Sequence, residues 1–183
     1  MIADRTPHGV IALLLIVLCV TVTPQVHGSG DTIVRLPIVV SEPLPTPTPD
    51  PIAGVEARIG ALINEARAAE GLPPLAVSPE LAQAARRHSA DMAAHVQCGH
   101  IGSDGSTPGD RIEATGYSWY ACGENVAAGY RTPEDVVAAW MGSDGHRAAI
   151  LSEVYQEMGV GYARTSHGYY HYYTVDFACR SGR

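Results

Sequence analysis

Lysine is absent from this 183-residue sequence, and all 12 of its basic side chains are arginines, set against 19 acidic residues. The arginines are scattered with no more than two in succession, and the formal net charge is −7. A protein that binds nucleic acid needs a concentrated basic surface to meet the phosphate backbone. The composition therefore argues against a nucleic acid as partner.

The motifs of several enzyme and metal-site classes are also missing. The sequence has no His-Glu-x-x-His motif and no Cys-x-x-Cys pair, which excludes the familiar zinc proteases and zinc fingers. A nucleophile elbow needs glycine two positions before its serine, and Met141 holds that position before Ser143. Asp104 and Asp110 lack the alternating oxygen ligands and terminal glutamate of a calcium loop.

No apolar run is long enough to span a bilayer comfortably, which takes about 20 residues. The run at 10–22 instead has the length of a signal-peptide core, and the residues before Ser29 suit cleavage after Gly28. We therefore expect residues 1–28 to be a signal peptide, the protein to be secreted, and the mature chain to lack a transmembrane domain. An uncleaved membrane anchor is the weaker alternative.

Residues 29–52 are expected to form a spacer. Proline recurs at every second position from 43 to 51, and such a segment runs extended because it cannot bury a core. The short apolar stretch at 33–40 could instead be a strand that docks on the domain.

The sequence from about residue 53 to 180 predicts one α+β domain. Helical spacing of apolar residues begins near 53 and stops at Gly71, and Ser78 with Pro79 marks the start of a second helix. Thr132 begins a third, whereas the glycine-rich segment 101–111 is expected to be a loop. Strands are predicted at 123–129, 157–163 and 169–178.

Two histidines stand in matching glycine-rich segments. His100 leads in CGHIGSDG (98–105), and His146 trails in GSDGHRAAI (142–150). The reversed order argues against a duplicated repeat. Two histidines framed by glycine in this way suggest that both converge on one site.

Longer motifs occur in a distinctive order between residues 62 and 178: LINEARAAEGLPPL, HSADMA, GHIGSDGSTPGDRIEATGY, CGENVAAGY, VVAAWMGSDGHRAAIL, EMGVGYA and YYTVDFA. This order resembles the bacterial secreted CAP domain, of the superfamily of cysteine-rich secretory proteins, venom allergens and plant pathogenesis-related proteins. The resemblance implies an α-β-α sandwich, with a small antiparallel sheet between helices and a central cleft, over residues 53–180.

The resemblance also implies the contents of the cleft, which in eukaryotic members holds two histidines and two acidic residues and in some members a divalent ion. By motif, His100 and His146 match the histidines and Glu124 matches the first acid. The second acid normally follows the tryptophan by three residues, where this chain has Ser143 with Asp144 beside it. His88 is a further cleft candidate, although a histidine on an apolar helix face is more often a core residue.

His100, His146 and Glu124 would offer two nitrogens and one oxygen, a ligand set that suits Zn²⁺ with water in the open position. A divalent metal, with zinc preferred, is therefore the expected cofactor. The alternative is a cluster whose buried polar groups satisfy one another without a metal.

The expected function is a secreted binding module whose ligand is a metal, a small molecule, a lipid or a cell-wall component. The alternatives are a metal-assisted extracellular hydrolase of peptidase type, in which Glu124 could also act as general base, and a purely structural extracellular domain. The tyrosine-rich run 169–173 could form a carbohydrate platform, but packing of a strand on both faces is the preferred explanation.

The cleft geometry implied by the resemblance also bears on the cysteines. If His100 and Glu124 meet, then Cys98 and Cys122, each two residues earlier, come close together, and we predict a Cys98–Cys122 disulfide. A Cys122–Cys179 bridge is the alternative if the last strand runs beside GENVA.

Overall fold

The computed structural model describes residues 51–182. The signal peptide, the spacer up to residue 50 and the alternative strand at 33–40 lie outside the described residues. In chain order the elements are α1 (Pro51–Ala69), β1 (Ala76–Val77), α2 (Pro79–His95), α3 (Pro108–Glu113), β2 (Trp119–Ala128), α4 (Pro133–Met141), α5 (Asp144–Ile150), β3 (Glu157–Arg164) and β4 (His171–Arg180).

The four strands form one sheet in the order β1-β3-β4-β2. The three long strands pair antiparallel, as expected from the sequence. The two-residue β1 adds a parallel pair with β3, in which Ala76 lies opposite Glu157. Two residues are too few to show a strand pattern, so the sequence did not predict this pair.

Helices cover both faces of the sheet, which confirms the α-β-α sandwich. On one face Val175 and Phe177 of β4 pack with Ile59 of α1 and Trp140 of α4. On the other face Ala178 of β4 packs against α2. Because β4 is buried on both faces from 172 to 178, its sequence reads as a nearly continuous apolar run.

The start of α2 follows from its sequence. The Ser78 hydroxyl accepts from the amide of Leu81 at 3.3 Å, Pro79 fills the first helical position, and Glu80 lies in the first turn. Thr132 caps α4 in the same way through the amide of Asp135 at 3.1 Å. These two predicted helix starts are confirmed, and α1 begins at Pro51 rather than near residue 53.

The structure corrects two local predictions. The segment 101–111 is not entirely a loop, because Thr107 and Asp110 form a capping box that starts α3 at Pro108. The strand expected from residue 169 begins only at His171, so Tyr172 and Tyr173 are buried while Tyr169 and Tyr170 stay about half exposed. A further short helix, α5, carries His146.

Within residues 51–182, no helix combines the length and apolar character needed to cross a membrane.

Candidate functional site

The two motif histidines approach β2, the strand at one edge of the sheet, from its two sides. His100 contacts the carboxylate of Glu124, while the backbone oxygen of His146 accepts from the side-chain amide of Asn125 at 3.1 Å. Because successive residues of a strand point to opposite faces, the backbone of His146 meets β2 on the face opposite Glu124. His146 also lines a cavity together with Val126 and with Cys98, two residues before His100. His100 is also close enough to lower the pKa of His146, after the larger effect of burial.

Glu124 is buried and fully engaged. One carboxylate oxygen lies 2.8 Å from Nδ1 of His100, and the other accepts from the Arg111 guanidinium at 2.6 Å. The Glu124 side chain is 1% exposed, whereas that of His100 is 51% exposed. The carboxylate therefore orients the imidazole and leaves Nε2 of His100 as the atom that can meet a ligand.

Arg111 is a site residue that the sequence reasoning missed. Besides Glu124, its guanidinium donates to the backbone oxygens of Ser106 at 2.8 Å and His100 at 3.1 Å. It lies in the middle of α3, so the capping box that starts this helix also positions the arginine. The segment Thr107-Pro108 was the available sequence signal for this helix start.

Asp176 is the second missed residue, and it brings a second carboxyl beside Glu124. The two residues lie directly opposite each other on β2 and β4. Asp176 is 0% exposed, and no hydrogen-bond donor among the described residues reaches either of its carboxyl oxygens. Burial, followed by the nearby charge of Glu124, raises the pKa of Asp176 well above its ordinary value. Both effects favour the protonated form of Asp176 in the folded state, in which its carboxyl group can donate to Glu124.

His88 is a core residue that holds the backbone next to His100. It is fully buried, and its Nε2 lies 2.7 Å from the backbone oxygen of Gly99, directly before His100. Its Nε2 is 3.9 Å from Glu124, and burial lowers the pKa of its imidazole. A neutral His88 thus fixes the chain next to His100 without reaching solvent.

Ser143 and Asp144 differ in their relation to His146. The Ser143 hydroxyl lies 3.1 Å from Nδ1 of His146. Asp144 is exposed, and within residues 51–182 its carboxylate forms no hydrogen bond or ion pair. The acidic partner of Glu124 in the structure is Asp176, not Asp144.

An open cavity of about 300 Å³ lies beside His146, with Cys98, Val126, Tyr130 and Trp140 among its other walls. Within the described part of the chain, no three His, Cys, Asp or Glu side chains are grouped to hold a metal ion. Each carboxylate oxygen of Glu124 already has a partner, one in His100 and the other in Arg111.

Cys98, Cys122 and Cys179 are free thiols in the structure, so the Cys98–Cys122 bridge is not shown and stays a prediction. The alternative Cys122–Cys179 bridge conflicts with the strand register. Cys122 lies opposite Ala178, and Cys179 lies opposite Ala121. The two cysteine side chains therefore point to opposite faces of the sheet.

The profile of the CAP family, described as the Cysteine-rich secretory protein family, matches residues 61–177. The chain belongs to the CAP family.

Two bacterial proteins show the similarity in sequence and in structure. The chain is 37% identical over 120 residues to the uncharacterized protein YkwD of Bacillus subtilis (strain 168), covering 66% of this chain and 47% of that protein. It is also similar to an extracellular protein containing a SCP domain from Bacillus anthracis str. Ames, with 30% identity and a TM-score of 0.66, covering 76% of this chain and 45% of the other. The chain thus spans about half the length of these relatives.

An outer surface protein of Borrelia burgdorferi shares the fold, with a TM-score of 0.63 at 24% identity, covering 67% of this chain and 90% of that protein. The structural neighbours of this CAP domain therefore include extracellular and surface proteins.

The protonated Asp176 predicts an unusual pH dependence of stability. Above its ordinary pKa of 3.8 the unfolded chain releases this proton while the folded protein keeps it. Stability contributed by this group is then lost as pH rises, by up to about 1.4 kcal/mol per pH unit, until the raised pKa is passed. Asp176→Asn removes this loss. We therefore expect the free energy of urea unfolding of this variant to rise relative to that of wild type between pH 4 and 7.

The control for this prediction is Asp110→Asn. Hydrogen bonds from Thr107 lower the pKa of Asp110, so its carboxylate stabilises the folded state above the ordinary pKa and the effect is lost as pH falls. The free energy of unfolding of this variant should fall relative to that of wild type as pH rises, which is the opposite sign. Parallel stability curves for Asp176→Asn and wild type would show that Asp176 is not protonated in the folded protein.

Proposed function

We propose that this CAP domain is a secreted binding module whose cleft holds a divalent metal ion, with zinc preferred, through Nε2 of His100 and the imidazole of His146. Export is part of the proposal, supported by the signal-like run 10–22 and by the extracellular and surface location of its structural neighbours. The identification of a metal ion as a ligand of the whole protein is likewise a proposal.

The orientation of His100 is the observation that carries the proposal. A ring whose Nδ1 faces a buried carboxylate has the arrangement found around metal-binding histidines, where the carboxylate fixes the tautomer and raises the basicity of Nε2. Arg111 in turn holds that carboxylate in place at 2.6 Å. The half-exposed ring of His100 therefore presents a fixed nitrogen to solvent.

The donor set fits zinc with a modified role for Glu124. Two imidazole nitrogens are suitable first ligands, and Glu124 supports one of them from behind instead of coordinating. A metal bound by only two protein ligands would keep open positions for water or for a group of the module's own ligand. The neutral form of His146 is favoured by burial, which lowers its pKa.

Calorimetric titration of the secreted protein with zinc tests the proposal. We expect binding at pH 7 that weakens at least about tenfold in His100→Ala and in His146→Ala, and that is lost at acid pH because protonated imidazole cannot ligate. His167→Ala is the matched control, since His167 is exposed in the β3–β4 turn and should bind like wild type. No uptake by wild type, or equal affinity in both cleft variants, would mean that the cluster is scaffold.

A lipid is the second candidate ligand, on one specific observation. An apolar groove of about 340 Å³ runs between α1, α2 and β3, and its walls include Ala57, Ala61, Met158 and Val160. This groove lies on another part of the domain than the His100–Glu124 contact, so the two candidates can be tested separately.

A further inference from the structure

Two arginines and two exposed tyrosines line a cavity of about 420 Å³ at one end of the sheet. Arg131 comes from the β2–α4 loop, Arg164 ends β3, and Tyr169 and Tyr170 belong to the β3–β4 turn. Gly129 and His171 complete the walls. This cavity shares no lining residue with the cavity beside His146.

The cavity carries unpaired positive charge, although the whole protein is acidic with a net charge of −7. Within residues 51–182, neither Arg131 nor Arg164 forms an ion pair or hydrogen bond through its guanidinium. Both lie close enough to His171 to lower its pKa, after the larger effect of burial. Glu134, the first acidic residue after Arg131 in the chain, is engaged by Arg58 at 2.8 Å.

The aromatic side of the cavity is held in place by the fold. The amide of Tyr169 donates to the hydroxyl of Tyr172 at 3.2 Å, and the two rings meet edge to face with centroids 6.1 Å apart. The amide of Gly129 donates to the backbone oxygen of His171 at 2.9 Å, which joins the β2–α4 loop to the start of β4. Tyr169 and Tyr170 nevertheless remain 51% and 54% exposed.

The backbone conformation of Tyr170 also supports a binding site at this cavity. Its φ is +67°, in the left-handed region that a bulky side chain seldom adopts. Such strained residues concentrate at binding sites, where the surrounding structure maintains them. Here the backbone oxygen of Tyr170 accepts from the amide of Thr165 at 2.9 Å, which closes the turn in this conformation.

We propose that this cavity binds an anionic sugar, with Arg131 and Arg164 on its carboxylate or phosphate group and the exposed tyrosine rings against the sugar ring. Guanidinium groups pair with either anion through charge-assisted hydrogen bonds, and tyrosine combines an apolar ring with a polar hydroxyl. The remaining half of the tyrosine run, Tyr172 and Tyr173, serves the core instead.

Four probes test the proposal by NMR titration of the protein at low salt: glucuronate, glucose 6-phosphate, neutral glucose and inorganic phosphate. At least one of the two acidic sugars should bind, and which one binds identifies the anion as carboxylate or phosphate. Arg131→Gln and Arg164→Gln should each weaken that binding at least about tenfold. Arg87→Gln is the control, because it removes an equal charge from an exposed position on α2.

Tyr169→Leu separates the sugar contact from the charge contact. It should weaken the acidic sugar and leave inorganic phosphate unchanged. Absence of binding by both acidic sugars at about 20 mM, or an equal loss in Arg87→Gln, would overturn the proposal. Glucose binding as tightly as the acidic sugars would remove the role of the arginines, and phosphate binding as tightly as glucose 6-phosphate would remove that of the tyrosines.

Discussion

Gly161→Ala is expected to lower the free energy of unfolding by more than about 4 kcal/mol, enough to prevent folding of many domains. A Cβ at Gly161 would lie 2.2 Å from the carbonyl carbon of Ala85 and 2.3 Å from its oxygen. Gly159 has the same relation to α2, with 2.0 Å to the amide nitrogen of Ala82. These contacts are with helix backbone, so a methyl group can be accommodated only if α2 moves away from the sheet.

The matched control is Gly54→Ala in α1, where an added Cβ meets no atom within 4 Å. That change should be neutral or stabilise the protein by about 0.5–1 kcal/mol, because alanine is the better helix former. Urea unfolding of the three proteins at pH 7 gives the comparison. A loss below about 1 kcal/mol in Gly161→Ala would mean that α2 is not packed on β3 as closely as described.

The close packing of α2 on β3 explains why the motif EMGVGYA contains two glycines, Gly159 and Gly161. Ser89 of α2 donates to the backbone oxygen of Gly161 at 3.0 Å, a contact that a larger residue on β3 would disturb. Because α2 also carries His88, the two glycines set the distance between the sheet and the residue that holds Gly99. A packing requirement in the core is thereby linked to the position of His100.

The parts of the fold that the sequence predicted are those with local causes. Ser78 before Pro79 and Thr132 before Pro133 place hydroxyl caps at helix starts, and these signals act within four residues. The α3 helix has the same signal at Thr107, but the surrounding glycines led to the expectation of a loop. The exposed position of Tyr169 could not be predicted, since it depends on where the β3–β4 turn ends.

The candidate site divides in the same way. The motifs identified His100, Glu124 and His146, and the structure brings the first two into contact. Asp176 becomes a partner of Glu124 only through the register of β2 with β4, which joins residues 52 positions apart. No local pattern encodes that register, although an aspartate inside the apolar run of β4 was a visible anomaly.

The negative charge of the buried pair Glu124 and Asp176 is balanced by one residue, Arg111. Glu124 and Asp176 are two adjacent carboxyl groups, and the raised pKa of Asp176 favours its neutral form, which leaves one negative charge to be matched. The Arg111 guanidinium provides the match, and its side chain is only 8% exposed. The orientation of His100, on which the proposed metal site depends, therefore rests on an arginine outside the cleft itself.

Arg111→Met should accordingly lower the free energy of unfolding by about 3–5 kcal/mol at pH 7, because removing one partner leaves the other buried charge uncompensated. It also frees the backbone oxygens of His100 and Ser106, so hydrogen exchange should accelerate across residues 100–106. Arg147→Met is the control: its pair with Glu70 is exposed and 3.5 Å long, and its loss should cost less than about 1 kcal/mol.

A double-mutant cycle distinguishes the lost charge pair from lost packing. In the Arg111→Met background, Glu124→Gln removes the uncompensated carboxylate, so the double variant should recover at least about 1 kcal/mol relative to Arg111→Met alone. Additive losses in the cycle would contradict the charge pairing and assign the effect to packing of the arginine stem. Recovery of stability without recovery of slow exchange at 100–106 is the expected combination, because methionine cannot donate to the two backbone oxygens that Arg111 holds.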